Sequence, residues 1–209
     1  MKTKGILVIS SVAVCGLFFW PVPANAKLVT IEIEAVVDYV WDVEAYLEAK
    51  VEAGDVITGW YTYDTSTPDS APSPNGALYE HYSSPAGISL SIGDLNFRTN
   101  PDNVDFAIGI LNDYPPSMKD QFWLTSYVNL SLTNGAVVDI ISWQLDDPTG
   151  TALSSTEILQ GPPILDNWES VFGLGVQIGK SHIRAHVTSA VPEPATLLLL
   201  GLGILLLRK

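Results

Sequence analysis

From Val29 to Ala53 every odd position is apolar, while most even ones are acidic: Glu32, Glu34, Asp38, Asp42, Glu44, Glu48 and Glu52. A period of two sends alternate side chains to opposite faces of a strand, so this run demands a sheet with one apolar and one acidic face. A helix would scatter the same residues around its circumference. Fully extended, the run would reach about 80 Å, far beyond an ordinary strand. It must break, and the break is expected between Val40 and Glu48, where residues 45–50 could also make a short helical turn. Alternation places Tyr39 and Trp41 on the apolar side.

The same alternation recurs at Val56–Asp64, around Ile88, Leu90 and Ile92, from Val104 to Ile110, and over Phe122–Leu132, Val137–Leu145, Val171–Ile178 and Ile183–Val187. Turn-forming clusters separate these runs: 65–76, 83–87, 99–103, 112–117, 146–150 and 161–163. Asn134-Gly135 between two apolar runs predicts a two-residue hairpin. Many short strands at this spacing predict an all-β protein, specifically an antiparallel β-sandwich of jelly-roll-like form.

The two ends have another character. Lys2 and Lys4 precede an apolar stretch from Gly5 to Trp20, Pro21 and Pro23 follow, and Ala24-Asn25-Ala26 supplies small residues at Ala24 and Ala26. This is the order of a secretory signal, with signal peptidase expected to cut after Ala26. The single cysteine, Cys15, lies inside that segment, so the mature chain is expected to use no disulfide. At the other end, Ala195–Leu207 forms an apolar run closed by Arg208 and Lys209. As a helix it would be about 20 Å long, against a hydrocarbon core of about 30 Å. The basic pair favours a cytoplasmic end, which leaves residues 27–190 outside the cytoplasm. Three regions follow: 1–26 as signal peptide, 27–190 as ectodomain, and 191–209 as a tail with a short hydrophobic helix.

Pro192-Glu193-Pro194, the Leu-rich run with Gly201 and Gly203, and Arg208-Lys209 together resemble the PEP-CTERM sorting signal. The resemblance implies a Gram-negative bacterium that secretes exopolysaccharide. It also implies recognition of Pro192, Glu193 and Pro194 by an exosortase, with Arg208 and Lys209 setting membrane orientation. The precursor would be anchored in the inner membrane and then moved to the cell surface or extracellular matrix. Within the ectodomain, Gly54, Asp55, Gly59, Tyr61, Tyr63, Asp64, Pro68, Asp69 and Ser70 resemble ectodomains often joined to this signal, which implies a β-sandwich and no activity.

Residues 27–190 hold 22 Asp and Glu against six Lys and Arg. Such a field repels nucleic acid, and no nucleic-acid partner is expected. Nucleophile-elbow, zinc-helix and phosphate-loop motifs are missing, and no cysteine remains after signal removal, so no catalytic residue is assigned and no enzyme expected. His182 and His186 have a helical metal-ligand spacing, yet in a strand they would stand about 13 Å apart and face solvent with Arg184. Glu32, Glu34 and Asp38 share one strand face and offer the paired carboxylates of a glycoside hydrolase, but no aromatic alternates with them in sequence. Metal binding stays open. The Asx-rich segments 94–105, 112–120, 139–147 and 166–169 would suit Ca²⁺, without any known loop spacing. Of the five tryptophans beyond the signal, Trp168 stands among Asp166, Asn167 and Glu169 and is expected outside, where it would stack on glycan. His81 reads as an isolated loop residue.

Overall fold

The computed structural model describes residues 27–169 and 173–193. The strands are β1 (Leu28–Trp41), β2 (Val56–Asp64), β3 (Gly76–His81), β4 (Gly87–Ile92), β5 (Leu95–Arg98), β6 (Phe106–Tyr114), β7 (Lys119–Ser126), β8 (Ile140–Asp147), β9 (Leu174–Ile178) and β10 (Ser181–Pro192). They form one antiparallel sheet of ten strands in the order β3-β6-β7-β8-β9-β10-β1-β2-β4-β5. The sheet curls strongly around its apolar face. The all-β antiparallel architecture therefore stands, but hydrogen bonding runs through a single sheet and draws no line between two. Among the described residues the only helical piece is a 3-10 turn, Leu165–Asn167.

β1 shows both the strength and the limit of the alternation. Val29, Ile31, Ile33, Ala35 and Val37 are buried, and Glu32, Glu34 and Asp38 are exposed between them. Its register with β10 slips twice. Thr188 is the extra residue on β10, and Asp38 the extra one on β1. A bulge adds one residue and reverses the facing of everything beyond it. Val40 thus turns inward, while Tyr39 and Trp41 stand 49% and 58% exposed. Their expected inward placement is corrected by that one residue. Beyond Trp41 the chain breaks, within the expected interval, into turns with positive φ at Ala45, Glu48 and Ala49. The helical alternative does not form. Asp42 accepts the N–H groups of Tyr46 and Leu47, each at 3.0 Å, and holds Leu47 in the core.

Three other local expectations are corrected. Asn134-Gly135 does turn the chain, with Gly135 at φ 86° and the Leu132 N–H on the Ala136 carbonyl at 2.9 Å. That turn lies inside the loop between β7 and β8 and does not itself join the two strands. β3 and β5 are strands that the alternation does not announce, because both are short and lie between Pro- and Gly-rich turns. His81 belongs to β3 and is buried, with Nε2 accepting the Asp64 N–H at 3.2 Å.

The core centres on an aromatic group. Tyr61 stacks on Tyr63 at 5.8 Å, and Trp143 meets Tyr61 and Phe122 edge-on at 5.9 Å each. Offset and edge-to-face arrangements are the favourable ones for such rings. The long connection after β8 packs Leu153, Ile158, Leu159, Leu165 and Trp168 against this core. Two tyrosines fasten it: the Tyr63 hydroxyl donates to the Leu159 carbonyl at 2.9 Å, and Tyr79 to Thr156 at 2.8 Å.

The residues resembling other ectodomains are mostly structural here. The Gly54 N–H bonds to the Val37 carbonyl at 2.8 Å, with φ 96°. Gly59 crosses so close to β4 that a Cβ would lie 2.1 Å from the Ser89 carbonyl. Asp69 accepts the N–H groups of Ala71 and Leu78, fixing the loop before β3.

Tyr61 and Tyr63 give a paired prediction. Among the described residues the Tyr61 hydroxyl is buried without a partner, whereas that of Tyr63 is bonded. An unmade buried hydrogen bond costs desolvation, so Tyr61→Phe should leave stability unchanged or raise it by up to about 1 kcal/mol. Tyr63→Phe should lose about 1 kcal/mol. Denaturant melts of the two variants, compared with the parent chain, read the difference directly.

Candidate functional site

Since the inner face of the sheet is filled by the core, chemistry has to be sought on the outer face. Cross-strand register decides what meets there. On β1, Glu32 stands opposite Trp60 of β2, and Trp60 opposite Ser89 of β4, which faces Arg98 of β5. One step along, Glu34 faces Thr58, Thr58 faces Ser91, and Ser91 faces Asn96. Trp60 is 51% exposed. An aromatic therefore does lie beside the acidic pair, supplied by the neighbouring strand and not by β1 itself. Sequence reasoning missed it because alternation along one strand says nothing about which residue pairs across from it. The one available signal was an aromatic, Trp60, with parity opposite to Tyr61 and Tyr63.

Trp60 lines two adjoining concavities. One, of about 430 Å³, is bordered by Glu32, Glu34, Thr58, Ser91, Ser189 and Val191. The other, about 170 Å³, is bordered by Pro85, Ser89, Arg98, Thr99 and Pro101. Glu32 and Glu34 make no ion pair among the described residues.

Further along the outer face of β1, the bulge presents Tyr39 and Trp41 to β10. The Tyr39 ring meets His182 edge-on at 5.6 Å, and His182 is the register partner of Trp41. His186 Nδ1 lies 2.6 Å from the Asp38 carboxylate. Both histidines lie on a strand, facing outward with Arg184, and each engages a different partner on β1. No group of three or more metal-ligating side chains forms among the described residues.

Several Asx residues of the calcium-suited segments are committed to the backbone. Asp120 and Asp147, register partners on β7 and β8, are both buried. Asp120 accepts the N–H groups of Asp113 at 2.9 Å and Leu153 at 2.7 Å. Asp147 accepts N–H groups from Thr149, Thr151 and Ala152 and the hydroxyl of Thr149. These carboxylates clasp the turns at one end of the sheet.

The tryptophans divide differently from expectation. Trp168 is only 6% exposed and belongs to the core. Its acidic neighbours turn outward through the 3-10 turn Leu165–Asn167, which folds the indole underneath. A buried ring offers no stacking surface, so Trp168 is no glycan platform, and among the described tryptophans Trp60 and Trp41 are the exposed ones. Trp143 lies in the core. Trp123 lies flat against Gly109, where a Cβ would overlap its ring.

At the far end of β10, Pro192 pairs with Ile31, and the Glu193 N–H reaches the Thr30 carbonyl at 3.1 Å. The Pro-Glu-Pro segment thus begins within the sheet and not on a separate linker. Ala24, Ala26, Pro194, Arg208, Lys209 and the apolar run Ala195–Leu207 lie outside the described residues. Within the described ones, no helix is long and apolar enough to cross a membrane.

Asp147 gives a pH prediction. Burial pushes its carboxyl up, but the combined hydroxyl and N–H donors of Thr149, Thr151 and Ala152 outweigh this and hold it at about 2. A carboxyl depressed on folding stabilises the native state above its unfolded value near 4, and that contribution is lost as pH falls toward 2. Asp147→Asn should lower stability at pH 7 and flatten its fall between about pH 4 and pH 2. Urea titrations at pH 7, 4 and 2 check both effects.

No curated protein and no solved structure matches the chain. One family model does, over residues 190–209, which begin in β10 and run to the terminal lysine. By that match the chain is a protein bearing the PEP-CTERM protein-sorting motif.

Proposed function

We propose that this is an exported, exosortase-sorted surface protein, without catalytic activity, whose curled sheet has a structural or adhesive role in the envelope and its exopolysaccharide. The sorting motif supports export to the cell surface. One further observation favours a display role. β1 starts at Leu28 and its antiparallel neighbour β10 ends at Pro192, so both processing points adjoin the same end of the sheet. An inner-membrane precursor would hold the ectodomain by that end and present the remainder outward. Signal peptidase would cut after Ala26, one residue before β1. Exosortase would recognise Pro192, Glu193 and Pro194.

The register limits where a harmless second cut can fall. Removal of the chain beyond Pro194 leaves every pairing of β10 with β1 in place, whereas a cut before Ala190 would strip Ile31 and Ile33 of partners. Processing at or beyond Pro194 is therefore compatible with an intact β1–β10 pairing, and processing before Ala190 is not.

The intact mass of the protein recovered from its host surface tests this reading. The expected species begins at Lys27 and ends near Pro194. A species retaining Leu197–Lys209 would overturn exosortase processing. Glu193→Ala should shift the recovered population toward the uncut tail and keep it with the membrane fraction, and unchanged release would argue against recognition of that residue. Retention of the processed protein in washed host matrix, but not in matrix freed of polysaccharide, reads the adhesive role.

A further inference from the structure

We infer that the outer face around Trp60 is a binding site for a glycan chain bearing free amino groups, such as a deacetylated hexosamine polymer. The inference deepens the adhesive reading above and rests on it. The border of the site is mixed: Glu32, Glu34, Thr58, Ser91 and Arg98 supply its polar groups, with Val191, Pro85 and Pro101 between them. At its centre is one exposed indole with a concavity to either side.

That pattern matches a pyranose more closely than a protein partner. A sugar ring offers a small apolar C–H face and a rim of hydroxyls. An indole of the same width, with hydroxyl and carboxylate acceptors around the concavity on the Glu32 side and Arg98 bordering the other, meets both requirements. A protein interface would instead need a wide apolar centre, and a standard one covers about 800 Å² on each partner. Here the neighbours of Trp60 across the sheet are Glu32 and Ser89.

Charge selects the class of sugar. Glu32 and Glu34 lie two residues apart on one strand face and have no cationic partner among the described residues. An ammonium group set over the indole would gain from the ring's negative face and from both carboxylates. A uronic-acid polymer would meet those carboxylates with like charge. Each interaction is modest at an exposed surface, so affinity for a single sugar is weak, and repeated units on a polymer supply retention.

Calorimetric titration of the full-length chain in detergent with a glucosamine hexamer tests the site. Saturable binding is expected, at least tenfold weaker in Trp60→Ala and in Glu32→Gln/Glu34→Gln. It should be unchanged in Glu157→Gln, a charge change in the loop after β8. Equal weakening by Glu157→Gln would overturn the site and leave only general attraction to an acidic protein. Equal, Trp60-dependent affinity for the N-acetylated hexamer would overturn the amine requirement, and no binding to either would overturn the site altogether. Self-association lost in Trp60→Ala, with no hexamer binding, would assign the face to a second copy of the chain. None of these failures alters the intact-mass result, which judges surface sorting separately.

Discussion

The pairing of β1 with β10 is the contact on which the rest of this structure depends. It joins the first described strand to the last, with Ile31 opposite Pro192. With β2 on its other edge, β1 becomes an interior strand of the sheet. Without β10, the sheet would separate into a β1-β2-β4-β5 part and a β3-β6-β7-β8-β9 part, each with an open apolar face. Contacts so distant in sequence are slow to form, because the loop they close must first lose its entropy. β10 also runs directly into the sorting motif. Closing the fold and placing the start of the motif are thus the same event, because strand register sets Pro192 beside Ile31 and Glu193 beside Thr30.

How far the sequence foretold this can be seen in β1. Its alternation correctly separates Ile31, Ile33, Ala35 and Val37 from Glu32 and Glu34, because burial on one face only is what period two means. Alternation fails at Asp38, where a bulge reverses Tyr39 and Trp41, since nothing in a single strand's sequence states where its partner gains or loses a residue. The Trp60–Glu32 neighbourhood was illegible for a related reason: it exists only once β1 and β2 are in register. Trp168 misled in the opposite direction. Its polar neighbours suggested exposure, while the long loop after β8 needed a large apolar side chain to cover the core. The sorting motif was fully legible because such a signal is read as linear sequence, with no fold required to assemble it.

The outer face carries features that a sheet selected for stability alone would not keep. Neighbouring carboxylates such as Glu32 and Glu34 repel one another, and an exposed tryptophan leaves apolar area in water. Several comparable groups elsewhere are engaged: Asp120 and Asp147 hold loop N–H groups, Asp42 holds its turn, and Trp123 lies against Gly109, although Trp41 shares the exposure of Trp60. Departures from local consistency are the places where function is to be sought. Around Trp60 the unfavourable charge and the uncovered ring occur together, at one register position, and a ligand that is cationic and has an apolar face would relieve both. The curled sheet makes this arrangement affordable, because its stability comes from the filled inner face and leaves the outer one free to serve as a contact surface.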